Sequence, residues 1–451
     1  MSLQFITGNS GNGKTKYLFN RIVKEAKANP RDNYLVIVPE QFTMQTQRQL
    51  VDLSENKAIM NIDVLSFKRL AYRVFDELGI TNLTVLEETG KNLVLRKLAA
   101  QEADKLGIIG RNLNRIGYIS EVKSLLSELV QYNISPEELG RYIASGRLSD
   151  TLSDKLKDVL VLYEAFEKFM QDKYITAEEI LNVLSNVAEE SAILRNSVIA
   201  FDEFTGFTPI QNQLIKKLFV ISKKIYVTLT IDCREDIFKS RGMQELFDMP
   251  KRTVKSLTEM AAFYGIEVEE PILLDKNYRL AENEELSFME QQLFRKRRCS
   301  FKKVPKHIHI DCLRDPKQEL TKIARRINEL VRNENLRYRD IAIVTGDVNI
   351  YAGYVREIFD KYNIPYFIDA TQEILFHPFI EFIRSIPDIA AQNFSADAVF
   401  RFLRCGFTEL SASEIDVLEN YVLACGVRGK SAWDKKWVRL PKHKAGYDLE
   451  L

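Results

Sequence analysis

The stretch that decides the fold is GNSGNGKT at residues 8–15, which follows a predicted short buried strand, Leu3–Thr7, and leads into a helical pattern from about Lys14 to Ala28. It matches the pattern G-x-x-x-x-G-K-[ST], and it stands where that pattern requires, between a strand and a helix. In such a loop, backbone N–H groups hold phosphate oxygens, the lysine neutralises β/γ charge and the hydroxyl ligates Mg²⁺.

The loop therefore predicts that ATP and Mg²⁺ are ligands, with a glycine-rich structural turn as the alternative. The hydroxyl of Thr15 is also expected to serve the metal. The predicted nucleotide-binding residues of this loop are Gly8, Asn9, Ser10, Gly11, Asn12, Gly13, Lys14 and Thr15.

Alternating strand and helix patterns follow the loop. Tyr34–Val38 predicts a second strand, an amphipathic helix starts at about Thr43, and Ile62–Leu65 predicts a third strand before a helix through Val74. From 85 to 194 the strand-like runs vanish and helical periodicity dominates. The alternation is typical of a parallel sheet covered by helices, here interrupted by a helical insertion.

Sheet character returns at Ser197–Phe201 and at Ile225–Ile231, and two carboxylates, Asp202 and Glu203, directly follow the first of these strands. A phosphate-loop protein needs an acidic residue at the end of a buried strand, to hold the water shell of Mg²⁺ and to orient the attacking water. We predict that Asp202 serves the metal and that Glu203 is the catalytic base. The alternative is an ordinary pair of carboxylates in a strand-to-loop turn.

A second α/β pattern follows a charged stretch at 295–306, which has seven basic residues and no acidic one and predicts a linker or an exposed hairpin. From about Pro378 onward the chain is helical again. The alternating strands and helices predicted for the second pattern are His307–Cys312, Leu320–Arg332, Ile341–Thr345, Tyr351–Tyr362 and Ile364–Asp369. The predicted domain segments are 1–84, 85–194, 195–294, 295–377 and 378–451.

Composition narrows the class of protein. The chain has 451 residues, and Lys+Arg 64 against Asp+Glu 63 gives a net charge of +1, which excludes a uniformly basic nucleic-acid binder. The five cysteines form no CxxC pair, so neither a disulfide framework nor a zinc knuckle is indicated. We expect a soluble, cytoplasmic protein without a membrane partner, because no signal peptide or bilayer-length apolar run is present.

Three segments are similar to motifs of UvrD-like superfamily 1 DNA helicases. Residues 202–211, DEFTGFTPIQ, resemble the segment DEFQDxxxxQ with Gln211 at its tenth place, and LLDKNYRL resembles the NYR motif, whose arginine is Arg279 here. The segment at 64–75, VLSFKRLAYRVF, resembles the helicase segment TFHxxxxR, which lies near the DNA path. The resemblance implies nucleotide contacts by Gln211 and Arg279, and DNA contacts by Ser66, Lys68 and Arg69. An ordinary amphipathic helix is the alternative for the last three.

More narrowly, FITGNSGNGKT, VIVPEQFTMQTQRQL and FDEFTGFTPIQ resemble the AddB family, one of the two components of bacterial AddAB (RexAB-type) helicase–nucleases. That resemblance implies P-loop RecA-like motor domains with large α-helical insertions, and an AddA-type partner in a heterodimer that acts on DNA ends and single-stranded DNA. It also implies scanning for the Chi sequence rather than driving translocation. The nuclease domain and iron–sulfur cluster of the family are not visible in this sequence.

The chain departs from the helicase motifs in ways that bear on activity. Only seven residues precede Gly8, and Gln4 lies within the first strand, so an adenine-reading glutamine is missing from its usual place. The segment IYVTLTIDCRED at 225–236 lacks the helicase motif GDxxQ, which couples nucleotide state to DNA movement. We expect tight ATP binding with slow or no turnover. The alternatives are an autonomous ATP-driven translocase and a small-molecule P-loop kinase.

Two basic runs are further candidates for DNA contact, with a solvated surface as the alternative for both. The second run is interleaved with Trp433 and Trp437, whose spacing is more typical of a packing pair than of a stacking platform. The first run comprises Arg295, Lys296, Arg297, Arg298, Lys302, Lys303 and Lys306; the second comprises Arg428, Lys430, Lys435, Lys436, Arg439, Lys442 and Lys444.

Overall fold

The computed structural model of the chain describes residues 1–81, 84–108, 110, 116–146, 148–170, 174–295, 299–370, 374–375 and 377–439. The chain divides into two compact units, Met1–His309 and Ile310–Leu451. The boundaries expected at 84 and 194 fall inside the first unit, and the finer division into segments stays a prediction.

The first unit opens with the alternating elements expected from the sequence, and each lies within a few residues of its predicted range. These elements are β1 (Ser2–Gly8), α1 (Lys14–Ala28), β2 (Tyr34–Ile37), α2 (Thr43–Leu53), β3 (Ile62–Leu65) and α3 (Phe67–Leu78).

An insertion with a core of its own follows. Apolar residues such as Leu95, Leu126 and Leu162 pack into a cluster separate from those of the main sheet. The expectation that strands vanish here is wrong in one detail, because β4 and β5 form a two-residue parallel pair. The elements of this region are β4 (Val85–Leu86), α4 (Glu88–Gln101), α5 (Ile116–Gln131), α6 (Pro136–Ala144), α7 (Asp150–Met170) and β5 (Ile175–Thr176).

The chain then returns to the main sheet. The returning elements are α8 (Ile180–Val187), β6 (Val198–Phe201), α9 (Pro209–Ile221), β7 (Lys224–Thr230), α10 (Asp248–Phe263), β8 (Glu267–Val268), β9 (Ile272–Leu274) and α11 (Glu284–Gln292). Helix α8 falls in the predicted insertion, but its Leu184 packs into the core of the main sheet.

Seven of the described strands form one parallel sheet in the order β3-β2-β6-β7-β1-β8, with β9 also pairing with β1. Helices α1 and α2 cover one face of this sheet, and α3, α8, α9 and α10 cover the other. Because both faces are buried, the central strands are almost continuously apolar, as in β2 and β6. The prediction of an α/β protein with a parallel sheet is confirmed.

The register of the sheet brings three chain segments to one edge. Gly8 pairs with Thr230, and Phe201 pairs with Val227. Neighbouring strands lie about 4.8 Å apart. The phosphate-loop candidate after β1 and the carboxylates after β6 are therefore two strands apart at the same carboxyl edge, with the end of β7 between them.

The second unit is helical in its described residues. Helices α12 and α13 pack through Leu320, Ala324 and Phe359. The helices of this unit are α12 (Pro316–Asn333), α13 (Val348–Lys361), α14 (Pro378–Ala391), α15 (Ala396–Leu403), α16 (Ala412–Cys425) and α17 (Lys430–Trp433).

The prediction of three strands around these helices is wrong. His307–Cys312, Ile341–Thr345 and Ile364–Asp369 have no ladder partner among the described residues and are irregular. Ile364 instead packs against the α12–α13 pair, and Val344 is exposed. An apolar run makes a strand only where another strand supplies hydrogen bonds, and the run itself does not contain that partner.

Among the described residues, no helix combines the length and the apolar character that crossing a bilayer would require.

Candidate nucleotide site

The loop between β1 and α1 has the backbone shape of an anion cradle. Gly11 and Gly13 have φ values of 88° and 78°, in the left-handed region that favours glycine. Gly13 stands at the N-cap of α1 and makes no side-chain cap hydrogen bond. The first N–H groups of α1 therefore have no side chain as a partner, and the positive end of the helix dipole faces the loop.

Close packing explains two of the glycines. A Cβ atom at Gly8 would lie 2.7 Å from the carbonyl oxygen of Leu274, and one at Gly11 would lie 2.7 Å from Oδ1 of Asn277. Both positions are too tight for any side chain. The segment after β9 therefore packs directly on the loop, which explains in physical terms why glycine stands at these places.

That segment also holds the loop by hydrogen bonds. Asn277 donates from Nδ2 to the carbonyl oxygen of Ser10 at 3.0 Å, and the backbone N–H of Tyr278 donates to the carbonyl oxygen of Gly11 at 3.0 Å. Arg279 donates from Nη1 to Oγ of Ser10 at 3.4 Å. The structure thus brings Arg279, a residue far along the chain, to the loop where the motif predicted it.

Lys14 lies over the loop that it follows. Its Nζ donates to the carbonyl oxygens of Gly8 at 3.0 Å and of Asn9 at 3.1 Å. Burial lowers the pKa of the Lys14 ammonium, while the nearby charges of Glu203 and Asp202 act in the opposite direction. The lysine is therefore held among carbonyl oxygens with two carboxylates near it.

Asp202 is buried, with 2% of its surface exposed. Thr228 donates a short hydrogen bond from its hydroxyl to Oδ1, whereas Oδ2 is buried and has no hydrogen-bond partner. Burial raises the pKa of this carboxyl group, although the Thr228 hydrogen bond acts to lower it. The Thr15 hydroxyl also acts to lower this pKa, so two threonines and a burial effect set the state of the carboxyl group.

Glu203 differs from its neighbour in exposure and backbone. It is exposed, and its φ of 62° is unusual for a residue other than glycine, which costs on the order of 1–3 kcal/mol. Its Oε1 accepts a hydrogen bond from the Thr15 hydroxyl at 3.3 Å. The turn after β6 thus points this carboxylate back toward the start of α1, where Thr15 lies.

These groups surround one cavity of about 790 Å³, within the usual range for ligand pockets. Glutamine and threonine side chains of α2 form a further wall. Of the predicted site residues, the cavity is lined by Ser10, Gly11, Gly13, Lys14, Thr15, Asp202, Glu203 and Arg279.

The oxygen donors at this cavity fit Mg²⁺. Thr15, with its hydroxyl, and Asp202, with its carboxylate, both line it. Mg²⁺ in proteins is held by one or two side-chain oxygens together with phosphate and water oxygens. The two residues predicted to serve the metal are therefore compatible with that ion.

Other predicted residues have structural roles here. Gln211 and Thr208 form a capping box at the start of α9, with the Gln211 amide oxygen accepting from the Thr208 N–H at 2.9 Å. Asn12 donates from Nδ2 to the carbonyl oxygen of Leu274 at 2.5 Å. Gln4 lies within β1 and donates to the carbonyl oxygen of Glu270 at 3.0 Å. A nucleotide contact by Gln211 stays a prediction.

The three DNA-contact candidates lie at the start of α3. Ser66 is buried and caps the helix, accepting from the Arg69 N–H at 3.2 Å, while Lys68 is exposed. Glu40, in the turn after β2, accepts from the Ser66 hydroxyl and, at 3.0 Å, from Nε of Arg69. Two of the three candidates are therefore held by a carboxylate, which no local pattern in the sequence indicated.

The two basic runs are partly used in packing. Arg295 donates to Asp232 at 2.6 Å and lies 5.0 Å over the Phe247 ring. Trp433 and Trp437 contact each other with ring centroids 5.2 Å apart, so the interpretation as a packing pair is confirmed. Lys296, Arg297, Arg298, Lys442 and Lys444 lie outside the described residues.

Sequence reasoning missed two threonines of the cavity, Thr228 and Thr230. The available signal was their spacing of two in the β7 sequence KIYVTLT, which places both on one face of a strand. That signal acquires meaning only when the neighbours of β7 are known.

Comparison with known proteins yields a consistent family. The family model described as "ADDB, N-terminal" matches residues 5–290. The B subunit of the ATP-dependent helicase/deoxyribonuclease of Lachnoclostridium phytofermentans is 39% identical over 456 residues, which cover 100% of this chain and 40% of the relative. Proteins of the same name from Clostridium tetani and Clostridioides difficile are 34% and 33% identical, covering 97% and 100% of this chain. The chain spans about two fifths of the length of these relatives.

Proposed function

The chain belongs to the AddB family, and from this premise we propose that it is the ATP-binding part of a helicase–nuclease subunit that processes double-strand DNA breaks for recombinational repair. The family membership expected from the motifs is thereby confirmed. The partner that this proposal requires is an AddA-type helicase–nuclease subunit in a cytoplasmic heterodimer, and the nucleic acid is a DNA end or single-stranded DNA.

One observation carries the nucleotide site: the loop, Lys14 and the buried carboxylate Asp202 line the same cavity. A structural glycine turn would not need a buried carboxylate oxygen without a partner two strands away. The strand order places β7 between the loop strand and the carboxylate strand, which supports a P-loop RecA-like motor domain with large helical insertions.

In this proposal each residue has a separate task. The loop N–H groups and Lys14 bind the β- and γ-phosphates, Arg279 binds the γ-phosphate, and Thr15 and Asp202 hold Mg²⁺. When bound, Mg²⁺ neutralises phosphate charge and orients the phosphate oxygens. Glu203 is placed to hold the proton of an attacking water, but its contact with Thr15 occupies it in this structure.

We further propose that the chain scans DNA for Chi with weak or absent motor activity. The segment after β7 supports this, because ion pairs hold it where helicases have GDxxQ. Asp232 accepts from Arg234 and Arg295 at 2.5 and 2.6 Å. Although burial acts to raise it, the hydrogen bonds from Arg234 and the charge of Arg295 lower the pKa of Asp232 to about 2.

The decisive test is a titration with a fluorescent ATP analogue and Mg²⁺. Lys14→Ala should weaken binding by about tenfold to a hundredfold, because hydrogen bonds to charged groups contribute about 1.5–3 kcal/mol. Lys24→Ala, an exposed lysine of the same helix, is the matched control and should bind as the wild type does. A wild-type chain that does not bind, or binding that survives Lys14→Ala, would contradict the nucleotide site.

ATP hydrolysis assays on the wild type and on Lys14→Ala distinguish the alternative function, an autonomous translocase. ATP hydrolysis that single-stranded DNA stimulates, and that Lys14→Ala abolishes, would favour an autonomous translocase. Nucleotide binding without such stimulation favours the scanning role.

A further inference from the structure

Strand β7 carries two threonines, Thr228 and Thr230, at its carboxyl end. It lies between β1, which leads into the phosphate loop, and β6, which leads into Asp202. Thr230 pairs with Gly8. Because side chains two residues apart share a face of a strand, both threonines lie on the face that α1 and α2 cover.

The first threonine sets the orientation of the carboxylate. Thr228 is 2% exposed, and its hydroxyl donates to Oδ1 of Asp202. With Oδ1 bound in this way, the other oxygen, Oδ2, is buried and has no hydrogen-bond partner, while Asp202 as a residue lines the cavity. Thr228 therefore fixes the orientation of the carboxylate at the cavity.

The second threonine reaches the cavity itself. Thr230 is exposed and lines the cavity together with Lys14, at the start of α1, and Asp202, directly after β6. Its hydroxyl makes no hydrogen bond to another described residue. A hydroxyl offers one donor and two acceptor sites, so it suits both a phosphate oxygen and an ordered water.

We propose that Thr230 contacts the terminal phosphate of ATP and thereby distinguishes ATP from ADP, and that Thr228 is a positioning residue that holds the Asp202 carboxylate in the orientation in which it serves Mg²⁺. This inference rests on the proposed nucleotide site. Lys14 and Asp202 mark the end of the cavity where the β- and γ-phosphates lie in that proposal, and Thr230 lies between them. A hydroxyl at the end of β7 is placed to contact the γ-phosphate, which ADP lacks.

The test of Thr230 compares two ligands on the 451-residue chain. Thr230→Val should weaken binding of β,γ-imido-ATP by about tenfold, because a hydrogen bond to a charged phosphate is lost. Binding of ADP should change by less than about twofold. Equal loss for both ligands, or no loss for either, overturns the assignment of Thr230.

The test of Thr228 uses the metal. Thr228→Val should remove most of the Mg²⁺ dependence of β,γ-imido-ATP binding, and Thr228→Ser should restore it, because only the hydroxyl is needed. Mg²⁺ dependence that survives Thr228→Val overturns the positioning role, since a purely structural effect would lower affinity with and without the metal alike.

Thr7→Val is the matched control for both variants. Thr7 is a buried threonine of β1 on the opposite face of the sheet, and its hydroxyl has no hydrogen-bond partner. It should bind both ligands as the wild type does. Wild-type binding that Lys14→Ala removes, together with unchanged ATP–ADP discrimination in Thr230→Val, overturns this inference and leaves the proposed function intact. A wild type that binds neither ligand overturns both.

Discussion

The carboxyl group of Asp202 has two oxygens in different surroundings, one bound by Thr228 and one buried without a partner. Because burial disfavours the ionised form, the pKa of Asp202 lies above its usual value of 3.8. The folded state therefore takes up this proton at a higher pH than the unfolded state does. It follows that the ionised carboxylate of Asp202 lowers the free energy of unfolding at pH values above its raised pKa. This loss decreases as the pH falls toward 3.8.

Replacing Asp202 by asparagine should consequently stabilise the ligand-free chain at neutral pH, by on the order of 1 kcal/mol, because the buried charge is removed. The gain should shrink as the pH is lowered from 7 toward 4. Hydrogen exchange of the main-sheet amides in urea, measured on the 451-residue chain at several pH values, gives the free energy of unfolding. It therefore measures both the gain at pH 7 and its decrease toward pH 4.

Asp63→Asn is the control, because the Asp63 side chain is 47% exposed and its removal should leave stability nearly unchanged. A pH-independent effect of Asp202→Asn, or a loss of stability at pH 7, would contradict the idea that burial of the charge dominates at this residue.

At the scale of elements, helix α3 is fastened to the turn after β2 through its cap. Ser66 both accepts from the Arg69 N–H and donates to Glu40, so one hydroxyl joins two segments. Ser66→Ala should destabilise α3 by about 1–2 kcal/mol, since a cap and a charged hydrogen bond are lost together. Hydrogen exchange of the α3 amides measures this loss.

A comparison cap with a neutral partner isolates the contribution of the Glu40 charge. Ser395 caps α15 by accepting from the Ala398 N–H at 3.3 Å, and it donates to the amide oxygen of Gln392 at 2.9 Å. Ser395→Ala should cost about 1 kcal/mol in α15. Equal losses in the two helices would show that the charge of Glu40 adds nothing measurable to the cap of α3.

Elements whose stabilising contacts are local or strongly apolar could be predicted from the sequence. The runs YLVIV and SVIAF predict β2 and β6 to within a residue, because strands buried on both faces are continuously apolar. The short strands β8 and β9 could not be predicted, since they exist only by pairing with β1. For the same reason, apolar runs in the second unit predicted strands that are not there.

The residues of the candidate site also divide into those that a local sequence pattern indicates and those that depend on a distant neighbour. The sequence motifs were enough to predict that the loop after β1, Asp202 and Arg279 lie together, and these residues line one cavity. The role of Thr228 could not, because it depends on β7 lying beside β6, and no local pattern contains that neighbour.

At the scale of the whole molecule, the insertion has a charged group at its centre. Lys91 is 2% exposed and donates to Glu178 at 2.7 Å and to Glu88 at 2.8 Å, joining α4 to the turn before α8. Lys91→Met should cost about 3–5 kcal/mol, because the Glu178 carboxylate would stay buried without its partner. Faster hydrogen exchange throughout α4, α5 and α7 is the expected result.

Lys157→Met removes an exposed ion pair of the same insertion, with Asp154, and should cost roughly 0.5 kcal/mol or less. An insertion that tolerates both substitutions equally well would mean that the Lys91 cluster does not hold it together.

The neighbours of β1 also set the order in which the protein can form during its synthesis. Both flanks of this strand come from residues 224–230 and 267–274, more than two hundred positions downstream. A ribosome adding about 5–20 residues per second reaches them only after an interval on the order of tens of seconds. The loop after β1 therefore leaves the exit tunnel early, but β1 stays without its flanking strands, while the insertion has all of its own core residues and is able to fold first.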